Sequence, residues 1–240
     1  MDDPHRSRYG AFDYAAATHA HRRRFLRHAH RRRFEIALSL LEPRPGDRVL
    51  DFGCGDGFFL ALLEERGPRG LDLAGYEPMD YLRETLSGRS ARIVANPDDL
   101  APRSFDRIAC LEVLEHLTAE DLDAALDLLA RLLAPGGILV VSVPIEIGLP
   151  ALGKYLVTRL LTGADRRCTP GEVLRMTLGL PVARESGLAF LPHKGFDHRS
   201  LERTLNARFR VERRAFSPAP AFGPWVNSQV IWRMAGRGKK

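Results

Sequence analysis

Cysteine is scarce in this 240-residue chain: Cys54, Cys110 and Cys168 are widely spaced and form no Cys-x-x-Cys pair. That argues against a disulfide framework or a cysteine-ligated zinc knuckle, and favours a reducing compartment. Long apolar runs are missing too. No stretch of eighteen apolar residues could span a bilayer, and the first residues carry no signal-peptide core, so a cytoplasmic protein is expected. Aromatic residues are few and form no stacking stripe, and no appended RNA-binding module is visible. What is present is the apolar and charged content of a globular chain, long enough for one domain with a sizeable core.

The formal net charge of +6 is unevenly placed. Residues 1–34 hold nine arginines against three aspartates, and the remaining chain, with 27 basic and 27 acidic residues, is formally neutral. Such an arm can meet nucleic acid or an anionic membrane surface. The preferred reading is plainer: residues 1–20 form a flexible leader, and from His21 to Leu41 apolar residues at helical spacing mark an amphipathic helix with a solvated arginine face.

Beyond it, apolar strands alternate with helical segments. Strands are expected at Arg48–Phe52, Leu71–Tyr76, Ala91–Ala95, Asp106–Leu111 and Ile138–Val143. Helices are expected at Phe58–Arg66, from Pro78 to Leu86 and at Ala119–Leu133, with Pro135-Gly136-Gly137 as a break. This pattern specifies a Rossmann-like, doubly wound parallel sheet covered on both faces. Two late strands, Phe209–Phe216 and Val226–Met234, are joined by a proline-rich loop, and a helix is expected over Ser200–Leu205. Residues 145–195 fit no strand-helix unit. Two short helices there, Ala151–Leu161 and Glu172–Leu178, follow the fifth strand, where an insertion would cap a substrate pocket or form a dimer interface. Oligomeric state is not legible. The main domain is taken as 21–240, with 145–195 as its insertion.

The most informative stretch is Val49-Leu-Asp-Phe-Gly-Cys-Gly-Asp-Gly57, with Glu77 twenty residues on, just beyond the second strand. Glycines allow a sharp turn and let bare backbone approach a ligand at a helix mouth. An acidic residue at that later position can accept both hydroxyls of a ribose. A nicotinamide site would place the turn against a pyrophosphate, which Asp51 and Asp56 would repel; a sulfonium and an ammonium group suit them. The stretch resembles motif I of the class I S-adenosylmethionine (SAM)-dependent methyltransferases. That resemblance implies seven strands with the last one antiparallel. It implies cofactor contacts at Asp51, Gly53 and Gly55, at Glu77 with Pro78-Met79 near the adenine, and at Leu111 by backbone. Asn96 stands where relatives place an aspartate for the adenine amino group, a departure that leaves the role to Asn96, to Asp98 or to neither.

A second cluster, Leu111-Glu-Val-Leu-Glu-His116, sets Glu112, Glu115 and His116 at i, i+3 and i+4, which a helix would put on one face. It is similar to the Glu-x-x-Glu-His motif of ubiquinone-biosynthesis O-methyltransferases and of small-RNA 2′-O-methyltransferases, where the motif holds a divalent cation. In the RNA enzymes a histidine before a Phe-acidic pair completes the site, and His193 with Phe196-Asp197 looks like it. The metal set implied is Glu112, Glu115, His116 and His193, for Mg²⁺ or another divalent cation. The same motif is also widespread in metal-free relatives, where His193 or His116 would be the general base. The leading expectation is methyl transfer from SAM to a hydroxyl of a small, lipid-like or glycan-like acceptor. RNA 2′-O-methylation and a non-catalytic SAM-binding partner protein are the alternatives.

Overall fold

The computed structural model describes residues 24–102, 104–162, 168–184 and 193–237. The expected leader, 1–20, lies outside them, as does part of the 145–195 insertion. Helix α1 (Arg24–Leu41) leads into β1 (Arg48–Phe52), α2 (Phe58–Arg66), β2 (Asp72–Tyr76), α3 (Asp80–Glu84), β3 (Arg92–Val94) and β4 (Phe105–Leu111). Then come α4 (Ala119–Leu132), β5 (Leu133–Pro144), α5 (Leu149–Thr162), α6 (Pro170–Thr177), α7 (His198–Arg208), β6 (Phe209–Ser217) and β7 (Gln229–Gly236). The seven strands form one sheet in the order β3-β2-β1-β4-β5-β7-β6. The pairings among β1 to β5 are parallel, whereas β7 runs antiparallel to both β5 and β6.

Alternation along each strand explains why the sheet is covered on both sides. Leu50, Ile108, Cys110, Leu139, Val141 and Trp232 face one layer, where Leu126, Leu129 and Leu132 of α4 and Leu205 of α7 pack. Their neighbours in sequence, Val49, Ala109, Val140 and Ile231, face the other, against Phe34 and Leu41 of α1 and Phe59 and Leu63 of α2.

Several boundaries differ from expectation for identifiable reasons. The α4 helix runs straight into β5, which begins at Leu133 and carries Pro135-Gly136-Gly137 within it; a Cβ on Gly137 would come within 2.9 Å of the Ala134 carbonyl oxygen. The last strand begins at Gln229, not Val226, because Asn227 holds the preceding loop. The Asn227 amide donates to the carbonyls of Ala219, Phe222 and Gly223 and accepts from Ala219 N–H. The late helix starts at His198, with the Asp197 carboxylate capping it through Arg199 N–H. Strand order reverses at β1, between β2 and β4, and the crevice beyond the carboxyl ends of β1 and β4 is where an open α/β sheet binds its ligand.

Candidate active site

The turn after β1 occupies that crevice. Gly53, Gly55 and Gly57 all have φ between +56° and +77°, a region open to glycine at little cost. At Gly53 a Cβ would lie 2.5 Å from a Val113 methyl, so the turn and the segment after β4 pack too closely for any side chain there. Gly53 and Cys54 N–H groups donate to the Tyr76 carbonyl, tying the turn to the end of β2. Glu77 is buried beside it. Its two carboxylate oxygens accept from Gly55 N–H and Met79 N–H, each at 2.9 Å. The acidic residue and the middle glycine of the turn are thus one unit. Burial raises the Glu77 pKa while those two donors and Arg83 oppose the rise. Met79 stands at the N-cap of α3, with the Tyr81 hydroxyl 3.3 Å from its sulfur. Asn96 is exposed, and its amide oxygen accepts from Asp98 N–H at the start of a short 3₁₀ turn. Leu111 ends β4, buried against the α1–α2 side of the sheet.

Asp51 is buried, and one of its carboxylate oxygens has no hydrogen-bond partner among the described residues. Burial, followed by the charges of Glu77 and Asp56, pushes its pKa up to about 8 from 3.8. A raised value means that the protonated form favours folding. That contribution is full below about pH 4 and is lost as pH rises through about 8, at up to ~1.4 kcal/mol per pH unit. Denaturant unfolding of the ligand-free protein should therefore show stability falling from pH 5 to pH 8, and Asp51→Asn should flatten the fall. Equal slopes for the two proteins would contradict it. The acid-lined crevice is chemically matched to a cationic ligand such as SAM.

Beyond β4 the expected helical face is not formed. Glu112 has φ +60°, the only non-glycine besides Glu42 with positive φ among the described residues, and a 3₁₀ turn, Leu114–His116, follows. Helix α4 begins only at Ala119, where Thr118 supplies the N-cap. The consequence is a correction to the metal set. The Glu112 carboxylate turns away to Arg33 of α1 (3.1 Å), Ser142 of β5 (3.0 Å) and Gln229 of β7 (2.8 Å), and does not join the other three residues. The arginine face of α1 is accordingly not all solvated: Arg33 is buried on Glu112, and Arg31 and Arg32 pair with Glu35.

Glu115, His116 and His193 do come together, with ligand-type atoms all within 4.8 Å of one another. The His193 and His116 Nε2 atoms are 3.3 Å apart, and each lies 3.8–3.9 Å from Glu115 Oε1. Glu115 is completely buried, yet neither carboxylate oxygen has a hydrogen-bond partner among the described residues. Burial and then the Glu112 charge drive its pKa well above the ordinary range. Buried carboxylates without partners are costly, and such a group calls for a cation or a proton. The Phe196-Asp197 pair has structural work instead: Phe196 is in the core and Asp197 caps α7.

Two residues of this cluster escaped the sequence reading. Arg184 donates to the Glu115 backbone carbonyl and lies over the Phe196 ring. Glu146, two residues past β5, has its Oε1 3.6 Å from His193 Nδ1 and accepts from Lys154 of α5 at 2.7 Å. Its position at the carboxyl edge was the available signal.

Comparison with known proteins agrees with this layout. Residues 18–191 match the family described as methyltransferase domain. The chain is 34% identical over 168 residues to a ubiquinone biosynthesis O-methyltransferase of Idiomarina loihiensis, covering 63% of this chain and 68% of that protein. It is 43% identical over 112 residues to one of Xylella fastidiosa, covering 44% and 45%. The matches to that protein and to its Xanthomonas campestris counterparts span only about half the length of those relatives, 45% and 53%. Among solved structures, the PH0226 protein of Pyrococcus horikoshii OT3 superposes with a TM-score of 0.62 at 15% identity, covering 94% of this chain and 97% of that one. A Burkholderia thailandensis 1,6-didemethyltoxoflavin-N1-methyltransferase, solved with S-adenosylhomocysteine, gives 0.52 at 18% identity, covering 85% and 78%.

Proposed function

We propose that this chain, which belongs to the methyltransferase-domain family and is a class I SAM-dependent methyltransferase, methylates a hydroxyl of a small-molecule acceptor at Glu115, His116 and His193. The O-methyltransferase relatives support a hydroxyl acceptor. The observation that carries the reading is Glu115: a buried carboxylate with no hydrogen-bond partner among the described residues, facing two imidazoles, beyond the strand next to the glycine turn.

SAM brings an activated methyl sulfonium, so the chain has to add in-line positioning and removal of the acceptor proton. Asp51, Gly53, Gly55 and Glu77 hold the donor, with Met79, Asn96 and Leu111 around it. The Glu115, His116 and His193 side chains fit a divalent cation. Without Glu112 the donor set is one carboxylate and two imidazoles, which suits Mn²⁺ or Zn²⁺ better than Mg²⁺. A cation there would lower the pKa of an acceptor hydroxyl. Without a cation, the imidazoles orient that hydroxyl and take its proton in this reading.

Segment 145–195 caps the acceptor side in this reading. Leu156 and Leu160 on α5, Leu174 on α6, Leu178 just past its end, and Trp225 on the β6–β7 loop are all exposed. The loop is tied to the carboxyl edge through Ile145 N–H and the Ser228 carbonyl. Exposed apolar side chains on this segment favour an acceptor with an apolar portion. The test is methyl-labelled SAM incubated with fractionated small-molecule, lipid and RNA extracts. Label is expected in an organic-extractable small molecule; label in RNA, or in nothing, would overturn the assignment.

A further inference from the structure

We infer that Glu146, held by Lys154, is a positioning residue that sets the orientation and tautomer of His193; the inference rests on the reading of Glu115, His116 and His193 as the acceptor-side site. Two observations converge. The Glu146 carboxylate lies beside Nδ1 of His193, whose other nitrogen, Nε2, points at Glu115 and His116. The carboxylate is itself fixed: Lys154 Nζ donates to Glu146 Oε1 at 2.7 Å and to the Ile145 carbonyl at 3.1 Å, so α5 is pinned to the end of β5.

The two ring nitrogens of a histidine are distinct, and the group that accepts from one decides which is left free. A carboxylate 3.6 Å from Nδ1 favours the proton on that nitrogen by its charge and leaves the Nε2 lone pair toward the Glu115 cluster. That lone pair is what a cation or an acceptor hydroxyl needs, so the positioning serves either chemistry. The same contact gives α5 a role in the site. This helix carries exposed leucines and reaches the cluster through Lys154, so its seating and the aim of His193 depend on one another. Carboxylates behind functional imidazoles typically account for a 10- to 100-fold effect on metal affinity or activity.

The experiment is ¹⁵N NMR of histidine-labelled protein, with His193→Gln identifying the resonance, on the wild type and on Glu146→Ala, Glu146→Gln and Lys154→Gln. Wild-type His193 should show the tautomer protonated at Nδ1. Glu146→Ala should lose that preference and lower kcat about 10-fold or more, with KM for SAM unchanged. Glu146→Gln, which keeps an oxygen acceptor, should restore the tautomer and most of the rate. Should Glu146→Ala fail to fold, Lys154→Gln reads the same contact from a more exposed side chain and should give a mixed tautomer. An unchanged His193 tautomer in both Glu146→Ala and Lys154→Gln overturns the inference, whatever the activity. If instead His193→Gln is fully active while the tautomer shifts as described, the positioning stands and the functional reading of His193 falls.

Discussion

Replacing Glu77 by alanine is expected to raise the Kd for SAM about 100-fold or more, the largest single effect available in the cofactor half of the site. Its carboxylate is buried and fixed by Gly55 N–H and Met79 N–H. Each oxygen keeps a lone pair, which suits it to accept the two hydroxyls of a ribose. Hydrogen bonds to a charged group are worth about 1.5–3 kcal/mol each, so losing two reaches a factor of 100 without any change elsewhere. Glu77→Gln should not rescue binding. Both oxygens already accept backbone N–H groups, and the amide nitrogen would have to face a donor in one of those places. Titration calorimetry with SAM measures the effect, with circular dichroism to verify folding. Wild-type affinity in a folded Glu77→Ala protein would remove Glu77 from the cofactor site.

That prediction could be framed from sequence because its parts are local. The turn, its strand and the acid beyond the next strand are linked by chain geometry that any β-α-β unit shares. The sheet was legible for the same reason: strands apolar on both faces, separated by helices, have few ways to pack. Errors clustered where tertiary contacts decide. Glu112 looked like the first ligand of a helical face, but Arg33, Ser142 and Gln229, from three other elements, pull it into a left-handed conformation and away. A non-glycine residue there is strained, by about 1–3 kcal/mol, and only contacts distant in sequence can hold it. Glu146 was missed for the converse reason: its place just past a strand marks the carboxyl edge, but does not show that a histidine 47 residues later will meet it. Asp197, which looked like part of a metal motif, is spent on the start of α7.

In the acceptor half, Glu115→Gln should abolish the proposed divalent-cation binding and lower kcat by roughly two to three orders of magnitude, a loss comparable to that of a general acid–base residue, while leaving SAM affinity nearly unchanged. The substitution is close to isosteric, and the reasoning turns on charge. Glu115 is wholly buried with neither oxygen hydrogen-bonded among the described residues. Besides the imidazoles, the cations whose charge reaches it are Arg184, which donates to its backbone carbonyl, and Arg33, which is paired with Glu112. A neutral amide in that place is better tolerated by the fold, so Glu115→Gln should melt at the wild-type temperature or above it. It would be a poorer ligand and could not balance a divalent charge. Stability and activity therefore move apart, which is the mark of a residue kept for function. Metal analysis of purified protein and kcat measured before and after chelation separate the two chemistries. If the wild type carries no metal and a chelator leaves its rate intact, the cation reading falls and the imidazoles of His116 and His193 are left as the proton acceptors. Were Glu115→Gln also fully active, Glu115 would have no part in the reaction.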